Sequence, residues 1–115
     1  MPRNISFAMT TEQVKAKTKT VTRRIAWWTL KPGTLLQPVE KGMGLKKGEK
    51  AVKIGGLIRV VSARKEPLNA ITKEDIIREG FPEMSRDEFM AFFDKGHPCQ
   101  RGIYMPVMRI EFEYL

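Results

Sequence analysis

KTKTVTRR, residues 17–24, packs four cations, three threonines and one valine into eight positions. Its β-branched residues favour an extended backbone, so a strand is expected over 20–25. Alternation along that strand would set Thr20, Thr22 and Arg24 on one face. This face is either the solvated side of an edge strand or the wall of a pocket for something anionic or for an RNA base.

The flanking segments supply the elements such a strand needs. Upstream, NISFAM (4–9) reads as a short strand, and Thr10 with Gln13 has capping-box spacing ahead of a short helix over 11–17. Downstream, KPG (31–33) signals a turn and TLLQPVE (34–40) a strand, with Pro38 marking an edge or a bulge. Residues 41–53 hold three glycines and five lysines, a basic loop or hairpin tip. GLIRVVSARKEPL (56–68) begins as a buried strand and should leave the sheet before Pro67. Thr72 caps a helix over 73–79 that Gly80 stops. Ser85 and Glu88 form a second capping box, opening a helix that Gly96 closes. Phe89, Phe92 and Phe93 give it a buried face. At the end of the sequence, Met108, Ile110, Phe112 and Tyr114 alternate with Arg109, Glu111 and Glu113, a strand with one buried face.

The resulting order is β-α-β-β-β-α-α-β. It lacks the regular helix–strand alternation of parallel crossover units. The expected class is α+β: a small, mostly antiparallel sheet curled into a barrel with flanking helices, in a single domain over 1–115.

Charge is unevenly spread. Residues 1–65 hold 15 Lys and Arg against 3 Asp and Glu, whereas residues 66–115 hold 6 against 10. Such a field suits a polyanion, or serves solubility alone. No apolar run approaches the ~20 residues of a transmembrane helix, so no membrane partner is expected. The first residues lack a signal-peptide pattern, and Cys99 is the lone cysteine; both suggest a cytoplasmic protein. With one histidine, His97, beside that cysteine, no zinc spacing exists and no metal is expected. No P-loop motif is present, and no cofactor is called for.

KTVTRR (19–24), LKPGTLL (30–36) and VMRIEFEYL (107–115), in that order and spacing, resemble the ASCH family, a branch of the PUA-like barrels. Thr34 stands where that family commonly has aspartate. The resemblance implies a PUA-like barrel associated with RNA. One bacterial branch consists of amidohydrolases acting on acetylcytidine, and another member type is a ribonuclease. In the amidohydrolase branch a lysine, a threonine three residues later and a distant glutamate form the catalytic set. Those positions fall here on Lys19, Thr22 and, through the helix ITKEDIIREG (71–80), on Glu79.

Chemistry sets conditions on that set. A threonine hydroxyl attacks an amide only once a base takes its proton. Lysine is such a base when desolvation and cations, here Arg23 and Arg24, depress its pKa. A carboxylate paired closely with Lys19 opposes that shift. On a regular strand residues three apart face opposite sides, so Lys19 must sit in the turn before the strand, or a bulge must intervene. Trp27 and Trp28 are candidates for base stacking, Arg23 and Arg24 for contacts to the bound base or RNA, and Lys46 and Lys47 for phosphate contacts. The solvated-strand alternative stays open. The two functional expectations are recognition of RNA or a modified nucleoside in a basic cleft, and hydrolysis of an acylated cytidine in the same cleft.

Overall fold

The structure, a computed structural model, describes residues 2–41, 48, 50–96 and 106–115. Five strands, β1 (Arg3–Ser6), β2 (Val21–Arg24), β3 (Leu35–Val39), β4 (Ile58–Pro67) and β5 (Pro106–Tyr114), form one sheet in the order β1-β3-β4-β5-β2. Among the described residues three α-helices accompany them, α1 (Thr11–Lys15), α2 (Lys73–Arg78) and α3 (Arg86–Gly96), with a 3-10 turn at Leu68–Ala70. The element order and the α+β class are those expected from the sequence. Three of the four strand pairings are antiparallel; β1 runs parallel to β3.

The sheet does not close into a barrel. β1 and β2 are its two edges, and no ladder among the described residues joins them. Instead, Arg24 Nη2 of β2 donates to the Ser6 carbonyl of β1 at 2.5 Å. A charged side chain stands where a closing ladder would be, which leaves a gap between the two edges.

Both faces of the sheet are covered, by two separate apolar clusters. One joins Ile5, Phe7, Val14, Leu36, Ile58, Val60, Met108, Ile110 and Phe112. The other places Val107 of β5 against Leu68, Ile71, Ile76, Phe89, Met90 and Phe93 from the helical side. Each fully buried aliphatic or aromatic side chain contributes roughly 1.5–3 kcal/mol. β5 is therefore sandwiched. Met108, Ile110 and Phe112 are buried as its alternation predicts, but Arg109, on the expected polar face, is buried as well.

Other local differences have physical causes. Gln13 does not complete a capping box, and Thr10 makes no side-chain cap; Thr11 Oγ1 donates to the Phe7 carbonyl at 2.8 Å instead. β3 is internal rather than an edge. Its pairing with β4 ends at Leu36, so the missing N–H of Pro38 faces no partner there, while its carbonyl accepts from Ile54 N at 2.9 Å. Residues 52–54 return along the end of β3, as a hairpin base would; residues 42–47 and 49, with the expected contacts Lys46 and Lys47, lie outside the described residues. β4 continues to Pro67 and takes a bulge between Val60 and Ser62.

Thr72 caps α2 through its hydroxyl, which accepts from Asp75 N at 3.2 Å. Gly80 ends it at φ +102°, and a Cβ there would lie 2.6 Å from Gln13 Cγ. Both the left-handed backbone and the close packing of α1 require glycine. Gly80→Ala should cost about 1–3 kcal/mol of stability, read from urea melts; an unchanged midpoint would contradict this packing.

Candidate functional site

Lys19 precedes β2. A positive φ of 59° at Lys17 redirects the chain after α1. Thr20 N then donates to the Arg78 carbonyl at 2.7 Å, and the Tyr114 hydroxyl donates to the Lys19 carbonyl at 2.5 Å. Burial pushes that hydroxyl up to about 12, so it stays a donor. These contacts pin the segment between the end of α2 and β5, outside the strand register. Lys19 and Thr22 consequently border the same cavity, as the turn alternative requires.

That cavity measures about 620 Å³. Its polar side is formed by Lys19, Thr22, Arg23, Arg24 and Glu79, and Lys41 also borders it. The rings of Phe7, Phe81, Phe89, Phe92 and Phe93 also line it, and the 6–10 segment that continues β1 completes the lining. Phe81 and Phe92 pack with ring centroids 4.9 Å apart. The α3 phenylalanines thus serve the core, as their spacing predicts, and wall the cavity too.

Lys19, Thr22 and Glu79 are 2%, 4% and 3% exposed. Of the face that a solvated edge strand would expose, Thr22 is buried and Thr20 and Arg24 are half-buried. Lys19 Nζ donates to Glu79 Oε1 at 2.6 Å and to the Glu79 carbonyl at 3.0 Å. Burial holds the Lys19 ammonium below the ordinary lysine range; Glu79 pulls the other way, and Arg24 and Arg23 add to burial. Burial rather than the arginines is therefore the leading cause. Thr22 Oγ1 accepts from Arg24 Nε at 3.1 Å. Arg24 Cζ sits 4.8 Å from the centroid of the Phe7 ring, and burial lowers the guanidinium to about 10. The guanidinium donates to two neutral oxygens, Thr22 Oγ1 and the Ser6 carbonyl.

Behind this pair lies a set of charges in which Arg23 and Glu79 meet Glu66, Asp75 and Arg109. Arg23 Nη1 donates to Glu79 Oε2 at 3.2 Å, and its Nη2 to Asp75 Oδ2 at 2.6 Å and Glu66 Oε1 at 2.7 Å. Arg109 grips both Asp75 oxygens, through Nε at 2.7 Å and Nη2 at 3.0 Å. The Arg109 guanidinium, followed by Arg23, holds the Asp75 carboxyl well below the usual carboxylate range, against the effect of burial. Arg23 is thus engaged mainly by protein carboxylates rather than held free for a ligand. No sequence pattern announced Glu66, Asp75 or Arg109, because each is defined by what packs over it. Among the described residues, no group of three or more His, Cys, Asp or Glu is placed to hold a metal ion.

Neither tryptophan lines the cavity. Trp27, at φ 65°, packs on the first apolar cluster with Arg3 Cζ 4.2 Å from its ring centroid. Trp28 is 47% exposed, with Lys65 Nζ 5.4 Å from its ring centroid. His97 and Cys99 lie outside the described residues. No helix among the described residues is long and apolar enough to cross a membrane.

No family model and no curated protein sequence matches the chain. Solved structures do. An ASCH domain from Lactobacillus crispatus JV V101 superposes with a TM-score of 0.61 at 12% identity, over 97% of this chain and 79% of that one. Protein EF3133 from Enterococcus faecalis V583, assigned to family DUF984, gives a TM-score of 0.65 at 18% identity, over 100% of this chain and 76% of that one. Hypothetical protein PH0355 gives 0.68 at 20% identity, over the full length of both. The fold is ASCH-like.

The Asp75 shift has a stability consequence. A carboxyl depressed in the folded state contributes stability that is present above its unfolded pKa and lost as pH falls toward the folded one. Urea melts should therefore show stability declining below about pH 4. In Arg109→Met, which removes the leading cause of the shift, the Asp75 part of that decline should shrink. Parallel acid profiles for the two proteins would contradict the pairing.

Proposed function

We propose that this ASCH-like chain is a small amidohydrolase that removes an acyl group from an acetylcytidine-type nucleoside. The observation that carries the reading is the buried Lys19–Glu79 contact of 2.6 Å in a cavity that Thr22 also borders. The family resemblance supplies the substrate class; the geometry supports the chemistry.

Thr22 is the nucleophile. Arg24 already donates to its oxygen, which favours the alkoxide that forms as the proton leaves. Glu79 takes a proton from the desolvated Lys19 ammonium, and the neutral amine then accepts the Thr22 hydroxyl proton. Thr22 Oγ1 attacks the amide carbon, and the Arg24 guanidinium stabilises the oxyanion. Collapse breaks the C–N bond, and the proton held by Lys19 goes to the departing amine. Water, deprotonated by Lys19, then cleaves the threonine ester and frees the carboxylic acid; Lys19 returns that proton to Thr22 Oγ1, and Glu79 gives its own back to Lys19. The phenylalanine wall holds the planar base and keeps other water out.

A second reading, recognition of RNA without chemistry, is favoured by Trp28, exposed beside Lys65 on the outer surface. ASCH domains are generally associated with RNA, and stacking on an exposed ring is worth ~1–3 kcal/mol per base. Only the hydrolytic reading depends on the Thr22 hydroxyl. Against a panel of acylated cytidines, Thr22→Ala should lower kcat/KM by about 10³-fold or more and leave RNA affinity nearly unchanged. If the native protein is as inert as the variant on every amide, the enzyme reading fails. Salt-sensitive RNA binding weakened by Trp28→Ala would then support recognition.

A further inference from the structure

Glu79 divides its carboxylate between two cations. Oε1 receives Lys19 at 2.6 Å, and Oε2 receives Arg23 at the longer distance of 3.2 Å. Arg23 makes shorter contacts elsewhere, at 2.6 Å to Asp75 and 2.7 Å to Glu66. Asp75 is the shared partner of two guanidinium groups, since the Arg109 fork from the internal strand β5 holds both of its oxygens. Asp75 and Glu79 are four residues apart at the two ends of α2, so they look out from the same helix face. We propose that Asp75 is a positioning residue for the Lys19–Glu79 pair: it anchors Arg23 against Arg109, so that Arg23 fixes Glu79 through Oε2 and leaves Oε1 to Lys19.

The inference rests on the reading of Lys19 and Glu79 as the proton-transfer pair, and it concerns what tunes that pair. The Arg23 side chain is almost wholly buried, so solvent does not screen its charge and the protein carboxylates must satisfy it. With Asp75 neutralised, Arg23 and Arg109 lose their common counter-charge. Arg23 then draws more strongly on Glu79, and Glu79 supports the Lys19 ammonium less. The extra local positive charge acts in the same direction. The groups facing Lys19 are Glu79 at the end of α2, Arg23 and Arg24 of β2 and the Tyr114 hydroxyl of β5; Lys41 borders the same cavity. Glu66 of β4, with Arg109 and Glu111 of β5, form the layer behind them.

The test follows the Lys19 side-chain resonance by NMR titration of the full chain, assigned by its loss in Lys19→Arg. In Asp75→Asn the Lys19 midpoint should fall by about one pH unit. In Glu66→Gln it should fall by less, and Asp75→Glu should bring it back toward the native value. The acid limb of the kcat/KM profile should move with the midpoint. Glu66 lies at the rim of the charge set, so Glu66→Gln carries the test if Asp75→Asn does not fold. A Lys19 midpoint unchanged in the folded variants, even with a lowered Tm, would overturn the proposal and leave Asp75 a structural ion-pair partner. The two readings fail separately. A moving midpoint in a protein that cleaves no acylated amide sinks the hydrolase reading alone, and a fixed midpoint in an active enzyme sinks the positioning role alone.

Discussion

Five side chains form one continuous buried chain of charge: Lys19, Glu79, Arg23, Asp75 and Arg109. Buried charges are tolerated only when paired and hydrogen-bonded, so each member fixes where the next must lie. The chain runs from the segment before β2, through α2, to β5. It crosses the same face of the sheet that the second apolar cluster occupies. Apolar packing brings the helical side down on the sheet, and the charges set the register of α2 over β5. Glu79 sits at the end of α2 because Gly80, in close contact with Gln13, stops the helix there. Replacement of one partner by an apolar group would leave another charge buried without compensation, which typically costs about 3–5 kcal/mol.

The cavity follows from a second constraint, the failure of the sheet to close. Where a closed barrel would join its first and last strands by a ladder, Arg24 reaches across to Ser6. A guanidinium needs several acceptors, and a strand edge with free carbonyls offers them. Filling the gap with a cation rather than a ladder leaves space beside Thr22 and Glu79. Helix α3 supplies phenylalanine rings to that space. Charged groups and phenylalanine rings thus border one opening. Low-dielectric surroundings strengthen every charge contact inside it.

Much of this was legible beforehand. Thr72, Gly80, Ser85 and Glu88 are local signals, read within four residues, and the helices begin and end where they indicate. The strand residues of β2 and β5 were likewise apparent from β-branching and alternation. Lys19, Thr22 and Glu79 were named from the family resemblance, and the structure brings all three to one cavity. Two local signals failed for tertiary reasons. Gln13 has capping-box spacing, yet its side chain is held against Gly80, a partner 67 positions away. Arg109 sits on the polar side of an alternating strand, yet α2 covers that side and supplies Asp75. Trp27 and Trp28 were attractive by composition alone, and backbone turning at Ala26 and Trp27 carries them off the cavity.

The sequence by itself determined the order and type of the elements, because caps, turns and alternation act over a few residues and need no distant partner. It also marked the cationic threonine segment as the one to look at, because its composition is local. Tertiary structure alone decided that the sheet stays open, that Lys19 leaves the strand register to share a recess with Thr22, and that Asp75 binds two arginines. Each of those outcomes depends on which buried charge meets which across the sheet. That pairing is set by distance and desolvation in three dimensions, and adjacency along the chain does not encode it.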